Sequence, residues 1–350
     1  MKGEGAGLRD VRRRASTNSQ ITMIGGMFGL EEPSATESSL PLLDGGHVTQ
    51  LANARSGLFA LLTCLRPRRI WLPSYICPEV IDAVQSANTP SKHYPIDRRL
   101  RASDRGWMTE IREGDAVLRV DYFGFQSELT DLRGLGAIVV ADVSQALFAV
   151  PNWLEADYYI GSPRKFVGVT DGGLLISRNA LPVELGPAPD AWLRAASRAS
   201  RWRRGFDEGS MRNDWYAAFR QSEGTQPIGL FAMSAQSVKL LREIDYGKFA
   251  EQRRANYMML SATLEPAAVL PELLDGVVPL GFPIRVTNRD ALQQWLFHHN
   301  IFAPVHWRLE GSVVDEETRD LSCHMLTLPC DHRYTIEQMK WMAELVAERL

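Results

Sequence analysis

Short, mostly apolar runs alternate with longer mixed stretches through the first half of this 350-residue chain. The runs centre near Ile70-Trp71-Leu72, His93-Tyr94-Pro95-Ile96, Ala116 to Val120, Ala137 to Ala141, Tyr158-Tyr159-Ile160 and Leu174-Leu175-Ile176. Runs of this kind, bounded by turn signals, read as strands buried on both faces. Phe59 to Leu65 and Glu79 to Ser86 read as helices between them. Strands and helices in alternation predict an α/β layer architecture. After Ala180 the pattern changes, and residues 186–224 are rich in Arg, Trp and small residues. Helices follow at Ser234–Ile244 and from Lys248 to Leu264. Beyond them the pattern gives a strand at Phe282–Val286, a helix at Arg289–His299, strands at Ile301–Trp307 and Leu326–Pro329, and a helix from Ile336. That alternation predicts a second, smaller α/β unit. At the other end, Ile21 to Leu30 is apolar and carries Gly25-Gly26. It reads either as an arm across a second subunit or as a leader with a short strand.

The ends of the predicted strands carry chemistry. Asp142 follows the Ala137–Ala141 run, Ser162-Pro163-Arg164-Lys165 follows the next, and Asp171-Gly172-Gly173 opens the last. Open α/β sheets bind ligands at the carboxyl ends of their strands. A lysine amine can condense with an aldehyde cofactor as a Schiff base. Pyridoxal 5'-phosphate held this way needs a carboxylate opposite its ring nitrogen, so that the ring can accept electrons. Its phosphate needs hydroxyls and N–H groups at turns or helix starts. Lys165, Asp142 and Ser162 fit these three jobs. Ser56-Gly57, at a predicted helix start, either serves the phosphate or is an ordinary N-cap.

Ala141-Asp142-Val143-Ser144-Gln145-Ala146 resembles the "E-D-A-A-Q-A" box of the DegT/DnrJ/EryC1/StrS sugar aminotransferases. Pro163-Arg164-Lys165 resembles their "P-T-K", and Asp171-Gly172-Gly173 their "G-D-G-G". The resemblance implies a three-layer α/β/α, aspartate aminotransferase-like PLP-dependent transferase fold with a smaller C-terminal α/β domain. It divides the chain into an N-terminal arm (1–45), a large cofactor-binding domain (46–245) and a small domain (246–350). It implies that Lys165 holds the cofactor, that Asp142 faces the ring nitrogen and that Gln145 reaches the phenolic oxygen. Asp121-Tyr122-Phe123-Gly124 resembles the family's "H-L-Y-G", with Asp121 in place of His and Tyr122 near the substrate. Pro73-Ser74-Tyr75-Ile76-Cys77 resembles the "P-S-x-T-[FW]" loop whose aromatic covers the cofactor ring. Strict alignment puts Cys77 at the aromatic position, and Tyr75 is the aromatic at hand. Two hydroxyls of the family pattern are replaced, by Leu58 in "S-G-T" and by Ile160 five residues before the lysine. Ser162, similar to the serine of the cysteine desulfurase "S-x-H-K" motif, takes over from the second.

The activity implied is amino transfer, with glutamate as donor, to a keto sugar or related acceptor, a nucleotide-linked one among the options, in a homodimer with sites at the interface. Elimination, decarboxylation and a non-catalytic partner role are the alternatives. Arg194, Arg198, Arg201, Arg203 and Arg204 recur at near-helical spacing. They form either a solvated helix face or a clamp for an acceptor phosphate, for which Arg201 and Arg203 are the candidates. His306 is either an interface histidine or part of the substrate rim. A formal net charge of -3 gives no reason to expect nucleic acid. Four cysteines make no disulfide framework, and Cys323, His324, Cys330 and His332 fit no common zinc spacing, so no metal is expected. Residues 1–20 lack the apolar core of a signal peptide, and no apolar run is long enough to span a bilayer. The expectation is a cytoplasmic protein.

Overall fold

The computed structural model describes residues 23–34, 38–102, 104–129, 132–209, 214–309 and 315–350. The basic segment 1–20 lies outside them. Seven strands form the main sheet: β2 (His47–Leu51), β3 (Arg69–Pro73), β4 (Ser91–Tyr94), β5 (Asp115–Val120), β6 (Ile138–Asp142), β7 (Tyr158–Gly161) and β8 (Gly173–Ser177). Their order is β2-β8-β7-β6-β5-β3-β4, with β8 antiparallel to both neighbours and every other pairing parallel. Parallel strands need crossovers, and α1 (Ala54–Leu65) and α2 (Pro78–Ser86) supply two. β5 and β8 are buried at every position; β8 reads as an apolar run, while β5 buries Asp115 and Arg119 among its apolar residues. The fold is thus the mixed α/β architecture expected.

The sheet's first strand, β2, was not expected. Only Leu51 of its five residues is buried, because it lies at the edge and its polar residues face outward. α3 (Asp190–Asp207) and α4 (Trp215–Gly224) pack against each other after β8, and the arginine-rich stretch belongs to α3. α5 (Ala235–Arg242) begins on Asp171. That buried carboxylate accepts the Ser234 N–H at 2.8 Å and the Ser234 and Ser237 hydroxyls at 2.5 Å each.

The long helix α6 (Tyr246–Leu264) leads to a second core around Tyr257, Phe282, Leu296, Leu326 and Met342. β9 (Phe282–Arg285) pairs antiparallel with β11 (Met325–Leu328), flanked by α7 (Arg289–His298), α8 (Glu316–His324) and α9 (Ile336–Ala347). The strand expected over Ile301–Trp307 shrinks to β10 (Ile301–Phe302), since Pro304 removes a ladder donor. β10 pairs in parallel with β1 (Ile24–Gly25). The apolar leader is therefore a short strand on its own chain, with Ile24 fully buried in the second core.

Gly173, where β8 starts, packs against the entry to α1. A Cβ there would overlap the backbone of Asn53. Gly173→Val should cost about 1–3 kcal/mol or more of unfolding free energy. Urea denaturation measures this, and an unchanged midpoint would contradict the close approach.

Candidate active site

The carboxyl ends of parallel β5, β6 and β7 share one edge of the sheet. A cavity of about 490 Å³ lies there, and its wall brings together Asp142, Gln145, Ser162 and Lys165. Asp142 is the last residue of β6, paired with Val120 on one side and Ile160 on the other. Its Oδ1 accepts the Ser144 N–H at 2.9 Å, which fixes the carboxylate as the chain turns. Gln145 Oε1 accepts the Phe123 N–H at 2.9 Å. Its Nε2 is buried with no hydrogen-bond partner among the described residues. A buried amide left with open donors asks for an acceptor. Lys165 closes a single 3-10 turn, Pro163–Lys165, that follows β7 through Ser162.

Four more side chains surround the amine on the same wall: Arg55, Cys77, Glu79 and His306. The Cys77 thiol donates to Glu79 Oε2 at 2.5 Å, and Arg55 Nη2 lies 3.6 Å from Glu79 Oε1. Burial pushes the Cys77 thiol up to about 12, against the pull of Lys165. Burial alone would raise the Glu79 carboxyl; the Cys77 thiol, a backbone N–H, Arg55 and Lys165 together hold it below its ordinary value. His306 Nδ1 lies 2.9 Å from Thr327 Oγ1, and the ring meets Phe123 edge-on. Desolvation, aided by the charge on Lys165, lowers the imidazole to about 3, so it is neutral at physiological pH. Thr170 Oγ1 is a second buried, unpartnered polar atom on the wall. An amine, a carboxylate, an open amide donor and hydroxyls around one space fit pyridoxal phosphate.

No protein-family model matches the chain, and no curated protein matches it in sequence. Solved structures match in fold. The chain is similar to Helicobacter pylori PseC, an aminotransferase involved in the biosynthesis of pseudoaminic acid, at 14% identity over 94% of this chain and 100% of that one, with a TM-score of 0.67. DesI, solved in the presence of its TDP-sugar product, matches at 16% identity over 88% and 81%, with a TM-score of 0.64. A DegT DnrJ EryC1 StrS aminotransferase from Brucella abortus matches at 16% identity over 86% of each chain, with a TM-score of 0.60. The chain has the fold of the sugar aminotransferases.

Within that fold, several expected site residues lie elsewhere. Tyr75 does not face the cavity. It is fully buried, 5.2 Å from Trp307 and 6.1 Å from Tyr122 between ring centroids. The wall at this point is Ile76 and Cys77. Tyr122 is also buried in the core, and its hydroxyl donates to the Tyr75 carbonyl. Ser56 and Gly57 lie behind the wall, in the first turn of α1. Asp121 is buried, accepts the Ser127 N–H at 3.0 Å, and is raised to about 6 chiefly by that burial.

The arginines of α3 divide. Arg203 is buried, forks onto Asp207 at 2.8 and 2.9 Å, and covers the Trp215 ring. That packing takes it out of reach of an acceptor. Arg201 is exposed and lines a separate cleft with Arg194 and Arg198. His332 pairs with Glu31, Cys330 is buried, and no group of three metal-ligating side chains forms among the described residues. Arg55, Glu79 and Thr170 were missed. Glu79 sits one residue into a helix that starts at the carboxyl end of β3, the same positional signal that marked Asp142.

His306 should remain neutral at pH 5, with its midpoint near 3, as read by NMR of the ring protons. An unfolded-chain histidine titrates near ~6.5, so the unfolded state binds the proton first and this group removes stability as pH falls from there toward 3. Lys165→Met removes a repelling charge and should raise the midpoint. An imidazole already charged at pH 5 would rule out this environment.

Proposed function

We propose that this chain is a PLP-dependent aminotransferase that moves an amino group, with glutamate as donor, onto a keto sugar or related natural-product acceptor. One observation carries the reading. Lys165, Asp142 and the open Nε2 of Gln145 meet on a single cavity wall, at the carboxyl ends of parallel strands, in the fold of sugar aminotransferases. A nucleotide-linked acceptor is supported by DesI, whose structure holds its TDP-sugar product. The same reading takes the protein as a cytoplasmic homodimer. It is supported by four free cysteines and by the lack, among the described residues, of a helix long and apolar enough to cross a membrane. The division at 45/46 and 245/246 belongs to this reading too, and the second core between Tyr257 and Val346 supports the later boundary.

Pyridoxal phosphate, when bound, supplies a conjugated ring that accepts the electron pair released at the substrate carbon. The residues do the rest. Lys165 Nζ would hold the cofactor and would take and return the proton at the reacting carbon. The Asp142 carboxylate would keep the ring nitrogen protonated. Gln145 Nε2 would donate to the phenolic oxygen. Ser162 offers a hydroxyl to the phosphate. Neutral His306 cannot compete with Lys165 for the positive role, so it orients substrate.

A non-catalytic member of the fold is the second reading. It is favoured by Leu58 and Ile160, apolar side chains on the cavity wall where the resemblance expects hydroxyls.

Hydride reduction of the protein incubated with pyridoxal phosphate should fix the cofactor on the Lys165 peptide, as read by mass spectrometry. Lys165→Ala should lose that label and all turnover. Asp142→Asn should keep the label and lose about 10²-fold or more in rate. Label on a different lysine would sink the site assignment. Correct label without amino transfer from any donor would favour the non-catalytic reading.

A further inference from the structure

Besides Ser162, the sequence offered Ser56-Gly57 for the cofactor's phosphate, with an ordinary N-cap as the alternative. Both residues are engaged elsewhere. The Ser56 N–H is capped by Asn53 Oδ1 at 2.9 Å, and Gly57 N–H donates to the Asn53 carbonyl at 3.2 Å. Ser56 Oγ lies between the Pro227 carbonyl (3.5 Å) and the Gly229 N–H (3.4 Å). The residue just before them is on the wall instead. Arg55 forms no guanidinium hydrogen bond among the described residues, and its one ion contact is Glu79 at 3.6 Å.

The other two arginines on the wall are committed. Arg333 forks onto Asp331 at 2.8 and 3.0 Å and also donates to the Met27 and Gly26 carbonyls. Arg164 pairs with Glu223. Arg55 is therefore the wall guanidinium with donors to spare. Glu79 is an anion in the first turn of α2, 3.6 Å from Arg55 in the first turn of α1. Both helix ends favour negative charge. A guanidinium binds a phosphate bidentately, more strongly than it holds a carboxylate at 3.6 Å. The unpartnered Gln145 Nε2, 2% exposed, is an independent sign that this cavity is built for a ligand with acceptor oxygens.

We propose that Arg55 is the anion-binding residue of the cavity, taking the phosphate of the cofactor, and that the Glu79 carboxylate is its internal competitor. The cofactor part rests on the functional reading above. The two side chains then have opposite effects on the same ligand. Losing Arg55 weakens phosphate binding, and neutralising Glu79 strengthens it. Losing Arg55 leaves the contacts to the aldehyde, the ring nitrogen and the phenolic oxygen in place, whereas Glu79 also feels the charge on Lys165.

The test uses the full-length protein freed of cofactor, with Arg55→Gln and Glu79→Gln variants. Inorganic phosphate is titrated by calorimetry, then pyridoxal phosphate and pyridoxal by visible absorbance. Arg55→Gln should weaken inorganic phosphate and pyridoxal phosphate by ~10-fold or more, as expected for loss of a charge-assisted pair. Glu79→Gln should tighten both by roughly 3-fold to 10-fold, the effect of removing one like charge at close range. Pyridoxal should change by no more than about 2-fold in Arg55→Gln, because a group that meets only the phosphate is lost as phosphate binding alone. Equal phosphate affinity in all three proteins overturns the proposal. So does an equal loss for pyridoxal and pyridoxal phosphate, which would mean damage to the cavity as a whole. Arg55-dependent binding of inorganic phosphate with no uptake of either aldehyde keeps the anion site and sinks the cofactor reading instead.

Discussion

A cation buried among carbonyls ties the two halves of this molecule together. The Arg253 side chain, on α6, is fully buried. It donates to the Phe166 carbonyl at 3.0 Å and to the Pro279 and Leu280 carbonyls at 3.2 and 3.3 Å. Phe166 is the residue after Lys165, and Leu280 lines the cavity. One guanidinium thus joins the lysine turn of the large sheet to the segment that enters the second core. Burying a guanidinium costs several kcal/mol unless its donors are met. Desolvation lowers its pKa for that reason. Carbonyls below it and the Phe166 ring, 4.7 Å from its centre, offset the cost. The backbone that follows Lys165 is thus tied to α6 from outside its own sheet, although Arg253 Nε is left without a partner among the described residues.

The strands were legible because their chemistry is local. A strand with both faces covered is mostly apolar, so β6, β7 and β8 announce themselves, and β5 does so although it buries Asp115 and Arg119. Strands and helices that depend on position in the sheet or on distant neighbours do not. β2 is an edge strand with one buried residue, and α8 (Glu-Glu-Thr-Arg-Asp-Leu-Ser-Cys-His) is short and mostly polar. The leader Ile24–Gly25 reads as a strand only in view of β10, some 275 residues further on by the number of its partner Ile301.

The site divides along the same line. Asp142, Gln145, Ser162 and Lys165 follow strand ends, where side chains reach one edge whatever the rest of the chain does. Tyr75 and Tyr122 were drawn in because they are large and near a motif. A side chain's direction, however, is decided by which face of the loop the core claims, and the core claimed both tyrosines. Arg203 was lost in the same way, to Asp207 and the Trp215 ring. Arg55, Glu79 and Cys77 come from two helices that meet only in three dimensions, so no spacing in the sequence records their contact.

The two apolar replacements, Leu58 and Ile160, bear on how strongly the remaining polar groups act. Each removes a hydroxyl from the wall and adds a surface that water does not hydrate well. In such surroundings the effective dielectric falls, and each remaining charge acts over a longer range. His306 is lowered to about 3 by its own desolvation, to which Lys165 adds. The same wall makes Asp142, Gln145 and Arg55 each worth more to a ligand than they would be in a wetter cavity. Fewer contacts in a drier site can therefore hold a charged cofactor, provided that each is positioned in advance. The Ser144 N–H does this for Asp142, and the Phe123 N–H for Gln145.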